Sequence, residues 1–457
     1  MADAEVTPEN LGEALDQAIG IEIATIPVYL YTYYSINRVP NQDAISGDLV
    51  QKLTAGGIPL DKANAIALDL SAQLMVFANK AGAAIMSVVI EEMLHMALSS
   101  NTHQALVGVP QLVGKSPGPP WPVVLPGHEP EFPINLAPFS LDQLMTFLKI
   151  ESPTPLPSQL AEGALPYKTI GQFYDMIIEC IKTNDLTYNR GSQLEPGKHY
   201  YAQNNIDTLY YNKQHKAQYT NADDSGDLIH VVDRDSAVAA LTLIKEQGEG
   251  NMGAGLGPDG SVICNDPNTP DFDDPGHKEL CHFEKFAEIY CDYEALEQQF
   301  AAYNLGGIAS YFVLNVPTNP TVADYAAPAD PINAHYANRE ALSAVATLIN
   351  ATYTYLFVMT ENCYKQSGNT QYETFMFGIH KTMIFILSSL CGDIQGLTFE
   401  KDGKSYIGSA PFENYSFGLM SSPKSQLNAL FNTAVALYPT ISYLQQRYQD
   451  LPDVPLN

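Results

Sequence analysis

Apolar residues recur at three- and four-residue steps along most of the chain, which is the spacing of α-helices that bury one face. The first such segment covers residues from about 7 to 37, with Leu11, Leu15 and Ile26 on one stripe. Pro27 lies inside this segment and removes one backbone hydrogen bond. The pattern therefore predicts a long N-terminal helix that bends near Pro27.

A second and longer helix is predicted from Asp61 to Val107. Apolar and small residues occupy all sides of this segment, which is typical of a helix that is buried all round. Its middle nevertheless carries Glu92 and His95. Buried charges destabilise a protein strongly unless they are paired or bind a metal. These polar side chains therefore need partners inside the protein.

Shorter segments with helical spacing follow residue 139, and Pro-rich stretches separate them. They are predicted as helices over Leu141–Ile150, Ile170–Lys182, Ala237–Lys245, Glu279–Tyr303, Asn338–Cys363, Tyr372–Gly392 and Lys424–Gln449. Residues 109–139 are predicted as a crossover loop, residues 183–227 as mostly loop, and Leu228–Val232 as a short strand. The pattern as a whole predicts an all-α fold class.

Two of the predicted helices carry the same short pattern, a Glu followed three residues later by a His. The copies are Glu92 with His95 and Glu279 with His282, and in a helix each pair shares one face. For a single copy, a buried ion pair or a His bonded to the backbone is a better explanation than a metal. Two copies match the ligand set of a four-helix bundle that binds two metal ions. We therefore interpret both pairs as metal ligands.

Such a bundle also needs a single carboxylate from each of its other two helices. Glu22 is the natural ligand on the first helix, because a lone carboxylate in an apolar stripe is rare. On the fourth helix Glu249 is favoured, and Glu151 and Glu179 are the alternatives. Each of these three could instead be a solvent-facing carboxylate at a helix end.

Three tyrosines near the predicted ligands are candidates for a substrate pocket or for hydrogen bonds to bound oxygen. They are Tyr29, Tyr33 and Tyr174, although core packing is the better explanation for any single one of the 27 tyrosines. Carboxylates with neutral imidazoles suit iron, or alternatively manganese, better than zinc. The predicted cofactor is therefore a di-iron centre, with manganese as the alternative.

The chain has a formal net charge of −28, which argues against nucleic acid and against anionic membranes as partners. The apolar runs Met86–Ile90 and Met383–Leu390 are too short to span a bilayer. The six cysteines are scattered without a CxxC pair, so we expect no disulfide framework and favour a reducing compartment. A cytoplasmic protein that binds no membrane is the expectation.

Five stretches, in order along the chain, resemble a known family. They cover residues 22–30, 91–98, 170–174, 247–250 and 279–283 and are similar to ferritin-like domains related to the iminophenyl-pyruvate dimer synthases of violacein- and rebeccamycin-type pathways. The resemblance implies a ferritin-like bundle with a metal-dependent oxidative role in secondary metabolism. Gln172 stands where relatives often carry Glu, so this position is not a ligand candidate and dimer synthesis does not follow.

These features together predict a ferritin-like four-helix bundle with a long crossover and loop insertions over residues 1–315. A linker over 316–333 and a C-terminal helical region over 334–457, packed on the bundle, complete the predicted organisation. A homo-oligomer formed through the C-terminal region is a weaker alternative to ordinary core packing.

The predicted function is a non-haem di-iron, or mixed-metal, oxidase or oxygenase. Such an enzyme would act with O₂ on a small organic substrate, with an amino-acid-derived compound as one candidate. The alternative is a non-catalytic ferritin-like protein that binds metal or serves as a scaffold.

Overall fold

The computed structural model describes residues 5–118, 120–155, 165–189, 191–199, 227–250, 255–257, 259–264, 280–326 and 336–456. Helices form nearly all of the regular structure in these residues. In chain order they are α1 (Leu11–Tyr34), α2 (Gln42–Ala55), α3 (Leu60–Leu106), α4 (Leu141–Ile150), α5 (Ile170–Thr183), α6 (Arg234–Gly248), α7 (His282–Ala302), α8 (Ala309–Phe312), α9 (Tyr336–Cys363), α10 (Gly368–Glu373), α11 (Ser388–Asp393), α12 (Pro423–Leu437) and α13 (Gln445–Asp450). The predicted all-α fold class is confirmed.

The long helix α3 forms the centre of the N-terminal half. Residues 81–105 of α3 are buried on every side, as the apolar sequence predicts. Helix α1 packs along α3, while α6 and α7 contact other sides of it. Helix α5 packs on α6 and α1, and α4 packs on α7. Side chains from several helices therefore meet beside the middle of α3.

The C-terminal region packs on this bundle through α9 and through the segments that follow it. The Glu361 carboxylate accepts hydrogen bonds from the backbone N–H groups of Leu112 and Val113, at 2.7 and 2.8 Å. The Tyr364 hydroxyl donates to the carbonyl oxygen of Ala97 in α3. The domain division at 316–333 stays a prediction.

Several local predictions differ from the structure for identifiable reasons. Leu228–Val232 is not a strand, because the amide side chains of Asn101 and Gln193 satisfy its backbone groups. The predicted C-terminal helix ends at Leu437, since Pro439 cannot continue the backbone ladder, and a 3₁₀ turn and α13 replace its second part. Helix α2, capped by Asn41, was not predicted.

Residues 368–396 are the least regular helical part of the described chain. Two π-helical segments, Thr374–Ile379 and Thr382–Leu387, lie between α10 and α11. A 3₁₀ turn over Ile394–Gly396 and a two-stranded antiparallel hairpin follow, with β1 (Thr398–Lys401) paired to β2 (Lys404–Ile407). The sequence pattern predicted one uninterrupted helix over the first part of this region.

One pair of cysteines corrects the expectation of no disulfides. Cys264 and Cys291 are joined, with a sequence separation of 27, whereas Cys180, Cys281, Cys363 and Cys391 are free and buried. No short-range spacing marks this pair, because one partner lies well before α7 and the other inside it. A reducing compartment therefore no longer follows from the cysteines, and a cytoplasmic location stays a prediction.

Three helical segments are long and apolar enough to cross a membrane, judged by length and composition alone. They are Leu60–Leu106, Asn338–Cys363 and Gly368–Gly396. The unbroken apolar runs Met86–Ile90 and Met383–Leu390 are much shorter than the helical segments that contain them. In the most apolar window of each segment, the share buried inside the protein is 78% for Leu60–Leu106 and 83% for Asn338–Cys363. The buried share is only 44% for Gly368–Gly396.

We predict that opening the Cys264–Cys291 bond destabilises the protein by about 2–4 kcal/mol, because the bond restricts the unfolded chain. The measurement is urea unfolding with and without dithiothreitol. A Cys264→Ser/Cys291→Ser double variant should match the reduced protein and should not respond to dithiothreitol. Equal stability of the oxidised and reduced protein would contradict this prediction.

Candidate metal centre

Carboxylates and imidazoles converge inside the bundle beside the middle of α3. The side chains of Glu92, His95 and His282 each place one ligand atom within 4.8 Å of the others. All three residues are buried, with exposed fractions of 2, 1 and 0%. The structure thus places His282, from the second predicted pair, beside Glu92 and His95 of the first pair. Glu279, the other half, lies outside the described residues.

Helix geometry explains how Glu92 and His95 reach the same point. They lie three residues apart on α3 and so share one face. His282 arrives differently, because it is the first residue of α7 and Cys281 is its N-cap. Glu284 closes this cap, since its carboxylate accepts from the Cys281 N–H at 3.0 Å. The predicted helix from Glu279 therefore begins three residues later than expected.

Two further carboxylates face the imidazoles. Oε2 of Glu22 lies 3.6 Å from Nδ1 of His95, and Oε2 of Glu151 lies 3.5 Å from Nδ1 of His282. Oε1 of Glu92 lies 3.0 Å from the same His282 nitrogen. Glu22 belongs to α1 and Glu151 caps the C-terminus of α4. Both imidazoles therefore present Nδ1 to the carboxylates.

The other nitrogen of each imidazole is bonded away from this cluster. Nε2 of His95 lies 3.0 Å from Oε1 of Gln247, and Nε2 of His282 lies 2.9 Å from Oε2 of Glu91. These acceptors put the proton of a neutral imidazole on Nε2 and leave Nδ1 as a lone pair. Metal-binding histidines are usually held by such an outer hydrogen bond.

Glu249, the favoured fourth-helix ligand, is buried next to Glu151 but is held by protein groups. It caps the C-terminus of α6, and its carboxylate accepts from the Gly171 N–H at 2.6 Å and from the Thr169 hydroxyl at 3.3 Å. A Cβ at Gly171 would lie 2.1 Å from Oε2 of Glu249. The alternative candidate Glu151, and not Glu249, is the carboxylate that faces His282.

Two of the three candidate tyrosines bond to these carboxylates. The Tyr29 hydroxyl donates to Oε1 of Glu151 at 2.5 Å, and the Tyr174 hydroxyl donates to Oε1 of Glu22. Tyr33 is a correction: it is half-buried, and its hydroxyl accepts a hydrogen bond from Arg38 instead. Glu179 is a second correction, because it is exposed on α5, away from the face that carries Tyr174.

Four residues of the site were not predicted as functional. The Thr25 hydroxyl donates to Oε2 of Glu92 at 2.8 Å, and Gln247 positions His95. The Lys285 ammonium lies 2.9 Å from both carboxylate oxygens of Glu91, which in turn bonds His282. Lys285 follows His282 by three residues and Glu91 precedes Glu92, so a search for charged helical neighbours of each ligand would have found both.

Burial raises the pKa of two carboxyl groups and two tyrosines of the site. It raises the pKa of Glu92 well above its ordinary value, with the negative charges of Glu151 and Glu22 adding to the effect. Burial also raises the pKa of Glu249 to about 7, against the hydrogen bonds from Gly171 and Thr169. The pKa values of Tyr29 and Tyr174 are likewise raised by burial, so both hydroxyls keep their protons and donate.

The pKa of His282 is determined by neighbouring carboxylates more than by burial. Burial would lower its pKa, but the carboxylates of Glu151, Glu91 and Glu92 outweigh burial and hold it well above the ordinary value. Nδ1 of His282 nevertheless makes no aligned hydrogen bond, although carboxylate oxygens of Glu92 and Glu151 lie near it. A cation is the kind of group that this nitrogen and the surrounding oxygens would all bind.

The charge of the cluster fits metal ions. Glu22, Glu92, Glu151 and Glu249 are all buried, and the nearby Lys285 is already paired with Glu91. Two of these carboxylates cap helix C-termini, where the helix dipole disfavours a further negative charge. Two divalent cations would match four carboxylates in charge, and oxygen with imidazole donors suits iron or manganese. The residues present therefore fit a two-metal site.

Comparison with known proteins identifies the family of the chain. A ferritin-like family model matches residues 15–291. The chain belongs to the ferritin-like family. The match includes Glu22, Glu92, His95, Glu249 and His282, and it confirms the predicted ferritin-like fold class.

A solved structure is also similar to this chain. It is a ferritin-like protein from Caulobacter vibrioides, 18% identical, and the alignment covers 83% of this chain and 95% of that one with a TM-score of 0.40. No curated protein matches the sequence. The family model alone establishes the family, while the synthase subgroup suggested by the sequence stays a resemblance.

We predict that Gly171→Ala costs about 1–3 kcal/mol of stability, because the added Cβ overlaps Oε2 of Glu249. Urea unfolding measures the change. Gly47→Ala in α2 is the matched control, since a Cβ there meets nothing within 4 Å. Equal stability of the two variants would mean that Glu249 moves aside freely.

We also predict that Lys285→Met alone costs about 3–5 kcal/mol, because it removes the ammonium group that balances the charge of the buried Glu91 carboxylate. The double variant Glu91→Gln/Lys285→Met removes both charges and should recover part of that loss. A double-mutant cycle of unfolding free energies tests the coupling. Strict additivity of the two single changes would refute a direct interaction.

Proposed function

We propose that this ferritin-like protein is a non-haem di-iron, or mixed-metal, oxidase or oxygenase that acts with O₂ on a small organic substrate. One observation carries the proposal: Glu92, His95 and His282 converge in a buried cluster whose two imidazoles both turn Nδ1 toward carboxylates. A structural site would need no such excess of carboxylates.

The cluster divides into two sets of ligands. Glu22 and His95 would hold one metal ion, and Glu151 and His282 would hold the other. Glu92 could contribute to either set, because it shares a helix face with His95 and contacts His282. Bound iron supplies the one-electron chemistry that reaction with O₂ requires. Glu249 is the remaining carboxylate of the site.

The surrounding residues orient these ligands and exclude water. Tyr29 and Tyr174 hold the carboxylates of Glu151 and Glu22 by donating hydrogen bonds to them. Gln247 and Glu91 hold the two imidazoles from outside. Ligands fixed in this way need little rearrangement when metal binds.

The substrate class is inferred from the resemblance to domains related to the iminophenyl-pyruvate dimer synthases. It suggests an amino-acid-derived compound and a role in secondary metabolism. The low exposure of every ligand, 6% or less, favours a small substrate. The same burial is also consistent with a second candidate function, a ferritin-like protein that binds metal without turning over an organic substrate.

We predict that the protein binds about two iron ions per chain after anaerobic addition of Fe(II). Metal analysis after desalting gives the stoichiometry. Exposure to air should then produce a ferric charge-transfer absorption band. Glu92→Ala and His95→Ala should each abolish most of this binding, because Glu92 could contribute to either set of ligands and His95 supplies one of the two imidazoles.

Glu179→Ala is the control, since it removes an exposed carboxylate of the same type. It should bind iron like the unaltered protein. Failure of the unaltered protein to retain stoichiometric metal would overturn the proposal. Metal binding with no spectral change in air would favour the non-catalytic alternative.

A further inference from the structure

One further tyrosine beside the carboxylate cluster is buried, but its hydroxyl is not paired. Tyr167 is 2% exposed, and its hydroxyl has no hydrogen-bond partner among the described residues. The hydroxyls of Tyr29 and Tyr174, in contrast, donate to Glu151 and Glu22. A buried hydroxyl without a partner destabilises a protein, because it loses its hydrogen bonds to water and gains none in return. The burial of this hydroxyl therefore needs a reason other than stability.

The segment that carries Tyr167 is anchored to α1, the helix of Glu22. The side-chain amide of Gln17 in α1 donates to the carbonyl oxygen of Leu165 at 2.9 Å, and its oxygen accepts from the Leu165 N–H at 3.0 Å. The Tyr167 N–H donates to the carbonyl oxygen of Gly127 at 3.0 Å, and the Tyr167 carbonyl oxygen accepts from a second N–H of the same loop at 2.8 Å. The backbone of Tyr167 is thus fixed from two sides.

The ring of Tyr167 is packed between two other rings. Its centroid lies 5.1 Å from that of Phe173 and 5.4 Å from that of the His128 imidazole. Phe173 in turn contacts the ring of Tyr174, at 6.2 Å between centroids, and the Tyr174 hydroxyl donates to Glu22. A tyrosine side chain has few rotatable bonds, so a fixed backbone and a packed ring determine where its hydroxyl lies.

The hydroxyl of Tyr167 lies near the carboxylates of Glu22 and Glu249. Thr169, two residues further along the chain, donates to the Glu249 carboxylate. Burial raises the pKa of Tyr167 well above its ordinary value, and the negative charges of Glu22 and Glu249 raise it further. The hydroxyl therefore keeps its proton and is available as a hydrogen-bond donor beside the cluster.

The nearby carboxylates already have other donors. Glu22 accepts from Tyr174, and Glu249 accepts from Gly171 and Thr169. A donor that is rigid, protonated and unpaired suits a ligand that presents an acceptor atom, because the hydrogen bond then forms without rearrangement of the protein. An oxygen atom of a small organic substrate is an acceptor of this kind.

We propose that Tyr167 is a substrate-binding residue, whose hydroxyl donates a hydrogen bond to an acceptor atom of the small ligand that binds at the carboxylate cluster. The proposal rests on the proposed metal-dependent function, because bound metal ions would balance the carboxylate charges that otherwise repel an acceptor. No covalent step is involved. The unpaired hydroxyl is then a property of the ligand-free protein alone.

The first test uses azide, a small anion that binds ferric iron and accepts hydrogen bonds. Iron-loaded, air-oxidised protein is titrated with azide, and the change in the charge-transfer band gives the affinity. Tyr167→Phe should weaken azide binding by about tenfold or more, because it removes one hydrogen bond to a charged acceptor.

Tyr188→Phe is the matched control for this titration. It also removes a hydroxyl without a partner among the described residues, but the charged neighbours of Tyr188 are Asp233, Arg234 and Asp235 at the start of α6 and not the carboxylates of the cluster. This variant should bind azide like the unaltered protein. The iron content of each variant is measured alongside.

Urea unfolding of the metal-free protein gives a second measurement, which does not depend on iron. Tyr167→Phe should leave the midpoint urea concentration unchanged or raise it, because the lost hydroxyl has no partner to leave behind. Tyr174→Phe should lower the midpoint, since it removes the donor to the buried Glu22 carboxylate.

Two results would overturn the proposal. One is unchanged azide affinity in a Tyr167→Phe variant that retains its iron. The other is a lower unfolding midpoint for metal-free Tyr167→Phe, which would show that the hydroxyl stabilises the protein itself. Absence of iron from the unaltered protein would instead overturn the proposed function, and this inference with it.

Discussion

The clustering of carboxylates inside an apolar bundle is the constraint on which the rest of this structure depends. Glu22, Glu92, Glu151 and Glu249 are buried together, and each would destabilise the fold if it stood alone. Their repulsion is reduced by hydrogen bonds from tyrosine, threonine and backbone groups. Those donors explain why polar residues interrupt otherwise apolar helices at fixed positions.

The same constraint explains the second layer of charged residues. Glu91 would be one more buried carboxylate, but Lys285 neutralises it and both are fixed by short contacts. Glu91 in turn holds Nε2 of His282. The ion pair therefore has a geometric role in addition to its electrostatic one, because it determines which imidazole nitrogen faces the cluster.

The sequence was most informative where a helix has a regular period. The bounds of α3, its burial on all sides and the shared face of Glu92 and His95 all follow from spacing along one helix. Glu22 could be singled out because it interrupts an apolar stripe. The family match over residues 15–291 then confirmed the fold class.

Prediction was weaker where a donor lies at a helix end. Glu151 and Glu249 cap the C-termini of α4 and α6, and His282 begins α7. Helical periodicity does not predict where a side chain points once the helix has ended. The choice between Glu151 and Glu249 therefore depended on how separate elements pack together. The Cys264–Cys291 bond and the π-helical turns depend on tertiary contacts in the same way.

The donors at helix ends are anchored differently from those inside the long helices. Glu22, Glu92 and His95 are anchored within α1 and α3, whose packing would be costly to alter. Glu151, Glu249 and His282 lie where helices join connecting segments, and such junctions tolerate insertions and changes in length. The cluster thus combines one half whose position is fixed by two long helices with another half whose position depends on the length and path of the connecting segments.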